Sequence, residues 1–112
     1  MKTNISEQYG AVIISLKGNV MGGEDTKDFN ERLHKLIEEG KKNIVVDLGD
    51  VKFMNSSGLG MLIGGLTTMK KAEGHLKLAR VTDKIESLLI ITKLITIFEF
   101  YETVDEAVKS FS

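Results

Sequence analysis

In the opening stretch KTNISEQYGAVIISLKG, Val12, Ile14 and Leu16 fall on one side of a period-two pattern. That is the signature of a strand, and Tyr9-Gly10 supplies a turn that makes it the second arm of a hairpin. The period then lengthens. In EDTKDFNERLHKLIEEG, Phe29, Leu33, Leu36 and Ile37 recur at i, i+4, i+7 and i+8, which predicts an amphipathic helix, and Gly40 stands where a left-handed C-cap would end it. NIVVDL (43–48) is a compact β-branched run of the kind found in strands covered on both faces. A helix is predicted from about Ser57 to Glu73, with Leu62, Leu66 and Met69 in register. GHLKLARV (74–81) reads as a strand, TDKIESLLIITK as a helix with Ile85, Leu88 and Leu89 inward, and ITIFEFYE (95–102) as a strand. TVDEAVKSF closes the pattern as a helix, with Thr103 and Glu106 as a capping box and Val104, Ala107, Val108 and Phe111 as its apolar stripe.

The order β-β-α-β-α-β-α-β-α implies an α/β fold. Its sheet is mixed and mostly parallel, with about five strands and about four helices. Whether the helices cover one face or both stays open. A length of 112 residues suits one domain, and no proline, repeat or low-complexity tract marks a linker. With 42% apolar and 28% charged residues, the chain is composed like a globular protein. Lys and Arg total 15 against 16 Asp and Glu, so the basic excess that a nucleic-acid binder needs is missing. The absence of cysteine excludes disulfides and thiolate metal sites. SLLIITKLITIF (87–98) is too short to span a membrane and is interrupted by Lys93, and the first ten residues carry no apolar signal region. The chain is therefore expected to be cytoplasmic, with no membrane partner.

Chemistry concentrates in VKFMNSSGLGMLIGG (51–65), which carries two adjacent serines and four glycines. A phosphate-binding P-loop would need a lysine after its second glycine, but the spacing from Gly60 to Gly65 is followed by Leu66. GLGMLIG (58–64) is a loosened dinucleotide fingerprint in the required strand-to-helix context, which keeps a small nucleotide-binding protein as a third reading. Met54 occupies the first glycine position of a hydrolase elbow around Ser56. His34 and His75 lie far apart, and no spacing of ligands suggests a metal. No catalytic residue, cofactor or metal site emerges. What remains is a helix start: Asn55 or Ser56 can cap it, and Gly58 and Gly60 leave its free N–H groups nearly bare.

DLGDVKFMNSSGLGMLIGG (47–65) closely resembles the segment of STAS domains, the anti-sigma factor antagonist family, that reads roughly D-L-x-x-V-x-φ-M-D-S-[ST]-G-L-G-x-L, where φ is apolar. LKGNV (16–20) is similar to the family's L-x-G-x-φ, and KLITIFEFYETVDEAV (93–108) to its terminal strand and helix. The resemblance spans nearly all of residues 1–112 and implies a stand-alone STAS-like domain. It further implies that Ser56 is phosphorylated by a serine kinase of the histidine-kinase-like ATPase fold that doubles as an anti-sigma factor. The unmodified protein would bind this partner, the phosphorylated form would release it, and a serine phosphatase would reset the switch. Two positions depart from the pattern: Asn55 replaces the usual Asp, and Met21 stands where an acid is common.

A phosphoserine adds about −1.5 to −2 charge, which a helix N-terminus tolerates, so the expected switch lies in the complex and not in the fold. In this reading the serine pair offers an acceptor at Ser56 and a neighbour that can cap, with Ser57 a possible substitute acceptor. The expected docking surface combines Asn55, Ser56, Ser57, Gly58, Leu59, Gly60 and Met61 with Asn19, Met21 and Glu24. Asn55 motivates an alternative, a non-phosphorylated scaffold subunit of a regulatory or transport complex.

Overall fold

The computed structural model describes residues 1–112. β1 (Lys2–Gln8) and β2 (Ala11–Val20) form the expected antiparallel hairpin. Tyr9 and Gly10 turn it at φ 50° and 81°, the double positive φ whose twist matches two-residue hairpins. α1 (Glu24–Glu38) follows and buries Phe29, Leu33 and Leu36. Gly40, at φ 77°, closes it: its N–H donates to the Ile37 carbonyl and the Lys41 N–H to that of Leu36, the paired bonds of a Schellman end. β3 (Asn43–Met54), α2 (Ser56–Lys71), β4 (His75–Ala79), α3 (Asp83–Ile91), β5 (Phe100–Tyr101) and α4 (Val104–Lys109) complete the predicted order.

The strands lie in the order β1-β2-β3-β4-β5, parallel except for the first pair. From β2 onward each crossover moves one strand in the same direction. The right-handed rule for such crossovers then requires α1, α2 and α3 to share one face. They do: Phe29, Leu33, Leu59, Leu62, Ile85 and Leu89 join Ile14, Ile44 and Val46 in a cluster of 22 buried residues. α4 comes after the last strand, is free of that rule, and packs Ala107 and Val108 against Ala11, Ile13, Val45 and Ala79 on the opposite face. Both faces are covered, unequally. α1 and α2 approach closely at Gly65, where a Cβ would stand 2.7 Å from the Phe29 ring.

β3 runs six residues beyond the predicted 43–48 (54 against 48) because two irregularities absorb the change of pattern. Ser15 faces Asp47 but Lys17 faces Asp50, and Gly18 faces Val51 but Asn19 faces Phe53. Core-facing positions therefore run 44, 46 and 48, then 51 and 54. Asp47, 7% exposed, anchors the first irregularity. Its carboxylate accepts from the Gly49 N–H at 3.1 Å and from Arg80 Nε and Nη2 at 2.8 and 2.9 Å. The bond to Asp47, more than the attraction of Asp47 and Asp50, holds the Arg80 guanidinium above its already high pKa. Gly49 makes room for it, since a Cβ there would overlap the guanidinium in the position that bonds Asp47.

The predicted strand at 95–102 is corrected: only Phe100 and Tyr101 pair with β4. Leu94, Ile95 and Phe98 instead pack into the main core from the turns that follow α3. An alternating apolar run serves that purpose as well as it serves a strand, so periodicity alone misassigned it. No helix is long and apolar enough to cross a membrane.

Phe29 touches both the sheet core and the α1–α2 seam, and it is 1% exposed. Phe29→Ala is expected to cost about 3–5 kcal/mol, read as a lowered midpoint in urea unfolding at unchanged slope.

Candidate functional site

Parallel pairing of Asn19 with Phe53 and Val20 with Met54 brings the carboxyl ends of β2 and β3 side by side. The chain leaves β3 through Asn55, which is extended (φ −100°, ψ −178°) and donates its N–H to the Val20 carbonyl at 3.3 Å. Asn55 is the N-cap of α2. Its Oδ1 accepts from the Gly58 N–H at 2.8 Å, and its carbonyl accepts from Leu59 N–H at 3.0 Å. The cap therefore belongs to Asn55, leaving both Ser56 and Ser57 exposed in the first turn with no capping duty.

Close packing explains part of the glycine content. A Cβ at Gly58 would overlap the Val20 carbonyl oxygen, so the helix start is pressed onto the end of β2. Gly22, at φ 81°, lies against Ser57: a Cβ there would stand 2.8 Å from the Ser57 Cβ. The loop carrying Met21, Gly22 and Gly23 and the start of α2 thus form one continuous surface. Gly60 has open space around it.

The predicted surface residues divide. Ser56, Ser57, Gly60, Asn19, Met21 and Glu24 are exposed, and Asn55 is half-buried. Gly58, Leu59 and Met61 are not surface residues: Leu59 is 2% and Met61 1% exposed, and both point into the main core. The 3.6-residue turn carries them inward while Ser56, Ser57 and Gly60 face solvent. Phe53, 48% exposed, is a residue that the sequence reading did not select. It lines a groove of about 430 Å³ with Met54, Lys84, Leu88 and Ile91. Phe53 alternates with core-facing Met54, which leaves its ring on the side away from the main core.

The electrostatics favour an anion here. The first turn of α2 contains no acidic residue, and Lys70 and Lys71 lie in its last turn, so nothing on the helix offsets the positive end of its dipole at Ser56. His34 and His75 are exposed, the latter tilted at 52° against Phe111 with centroids 6.1 Å apart. No group of three or more His, Asp or Glu is arranged to hold a metal. Gly58, first of the GxGxxxG spacing, packs on β2 and does not open toward a ligand.

Two glycine substitutions separate packing from openness. Gly58→Ala is expected to destabilise the domain by more than 2 kcal/mol, because a backbone carbonyl cannot move aside as a side chain would. Gly60→Ala is expected to raise stability by about 0.4–1 kcal/mol. Thermal unfolding of the two variants beside the unsubstituted chain measures both.

Comparison with known proteins identifies the family and the fold. The STAS domain model matches residues 2–107. The anti-sigma-B factor antagonist of Staphylococcus aureus is 32% identical over 78 residues, covering 66% of this chain and 72% of that one. An anti-sigma factor antagonist from Mycobacterium paratuberculosis superposes with a TM-score of 0.81 at 20% identity, covering 97% of this chain and 92% of that one. The Bacillus cell fate determinant SpoIIAA in its phosphorylated form superposes with a TM-score of 0.75 at 18% identity, covering 99% and 100%. The family model spans nearly the whole sheet and its helices, and the chain belongs to the STAS domain family of anti-sigma factor antagonists.

Proposed function

We propose that this protein acts by partner switching. Unmodified, it binds an anti-sigma factor that is also a serine kinase of the histidine-kinase-like ATPase fold; phosphorylated on Ser56, it lets go, and a serine phosphatase restores it. The observation that carries the reading is the position of Ser56: exposed, in the first turn of a helix whose N-terminus is pinned by other residues and carries no acid. In the transfer, the Ser56 oxygen loses its proton and takes the γ-phosphoryl group of ATP, with ADP as leaving group.

The fold tolerates the product. A charge of about −1.5 to −2 arrives where free N–H groups and the helix dipole contribute roughly 0.3–2 kcal/mol in its favour. The complex does not tolerate it. A dianion buried against a partner without a matching cation costs several kcal/mol, and each 1.4 kcal/mol is tenfold in affinity. Ser56, Ser57 and Gly60 with Asn19, Met21 and Glu24 form the docking surface, extended by the exposed ring of Phe53. Asn55 supports the cap through a neutral oxygen, so the phosphate meets no carboxylate from its immediate neighbour.

The substitution of Asn for Asp also favours a second reading, a constitutive scaffold that keeps the surface and is never phosphorylated. Incubation with the cognate kinase and ATP, followed by phosphosite mapping, separates the two. Partner switching predicts phosphate on Ser56, a Ser56→Ala variant that stays bound, and a Ser56→Asp variant that binds about a hundredfold more weakly. Phosphate on Ser57 would move the acceptor by one residue. No phosphate, with equal affinity for Ser56→Ala and the unsubstituted chain, would leave the scaffold.

A further inference from the structure

In an open α/β sheet the crevice between two parallel strands opens at their carboxyl ends where the chain leaves one strand toward one face and its neighbour toward the other; ligands bind at such points. This sheet has one among its parallel strands. β4 leads to α3 on the main-core face, and β5 leads to α4 on the opposite face. A cavity of about 310 Å³ lies there, within the range of small-molecule sites. Arg80 and Val81, directly after β4, form one side; Phe100, Tyr101 and Glu102 of the β5 edge form another; Glu86 of α3 and Ile95 close it.

The charges in this cavity are unequal in their commitments. Arg80 is its only cation, and its charge is matched by Asp47 through two hydrogen bonds and by Asp50 at 3.7 Å. Glu86 and Glu102 belong to no ion pair. Two exposed carboxylates in no ion pair, lining one cavity with Val81, Ile95 and the Phe100 ring, make a site for a positively charged head on an apolar body. The Tyr101 ring, also in the lining, already has Lys77 Nζ 5.7 Å from its centroid. Carboxylates supply charge-assisted acceptors, and the Phe100 ring supplies an aromatic partner.

We propose that the crevice between β4 and β5 binds a small organic cation, a primary ammonium carried on an aromatic or aliphatic group. The site is separate from Ser56 and does not depend on partner switching, although both lie at the carboxyl end of the sheet.

The test is an amide-resolved NMR titration of the full chain with phenethylammonium, and in parallel with phenylacetate, which has a similar body and the opposite charge. Saturable shifts at Arg80, Val81, Tyr101 and Glu102 are expected with the ammonium at millimolar concentration, and none there with the carboxylate. The Glu86→Gln/Glu102→Gln variant, with its remaining spectrum unchanged, is expected to bind about tenfold more weakly. Absence of saturable shifts, equal response to both probes, or undiminished affinity in the double variant would each overturn the proposal.

Discussion

The carbonyl of Val20 is the point on which the site depends. It receives the Asn55 N–H and leaves no room for a side chain at position 58, so the first turn of α2 is set directly on the end of β2. The rest of the site follows from that contact. Because Asn55 reaches back to cap Gly58, neither serine is needed for the helix, and both remain free at the surface. Because Gly22 can come within contact of Ser57, the β2–α1 loop joins the same surface. The first turn is thus held by contacts that use neither serine hydroxyl.

Below that turn the structure is arranged to resist change. Leu59, Met61 and Leu62 root α2 in the main core, and Gly65 lets Phe29 of α1 approach it closely. Interiors packed to this density do not deform gradually, so a charge added at the exposed tip has little to push on. The Asp47–Arg80 pair performs a related task at the neighbouring strands. It stabilises the irregular stretch of β3 through which Val51 and Met54 regain the core. A phosphate on Ser56 would therefore alter the electrostatics and shape of one surface while the sheet beneath it stays fixed.

Much of this was legible from periodicity. The i, i+4, i+7 spacing of Phe29, Leu33 and Leu36 predicted α1 and its buried face, and Tyr9-Gly10 predicted the hairpin. The site segment was legible as a helix start because capping residues and glycines there have few other uses. What escaped was set by contacts remote in sequence. The length of β3 comes with register shifts against β2, which the hydrophobic pattern does not record. Leu59 and Met61 were placed on the surface because a contiguous motif suggests a contiguous surface, whereas a helix alternates faces within one turn. The run at 95–102 had strand-like alternation, yet its apolar residues fill the core from turns. Which helix crosses to the other face became plain only from the strand order.

The central claim is that phosphorylation of Ser56 changes what the surface can bind and leaves the domain intact. Amide hydrogen exchange, measured on the Ser56-phosphorylated and unmodified chains, tests it most directly. Protection in β2, β3 and the body of α2 is expected to be unchanged, with any difference confined to the first turn of α2 and the adjoining Met21–Gly23 loop and toward greater protection. Loss of protection along α2 or in the central strands would show that the phosphate acts by loosening the fold, and would contradict the account.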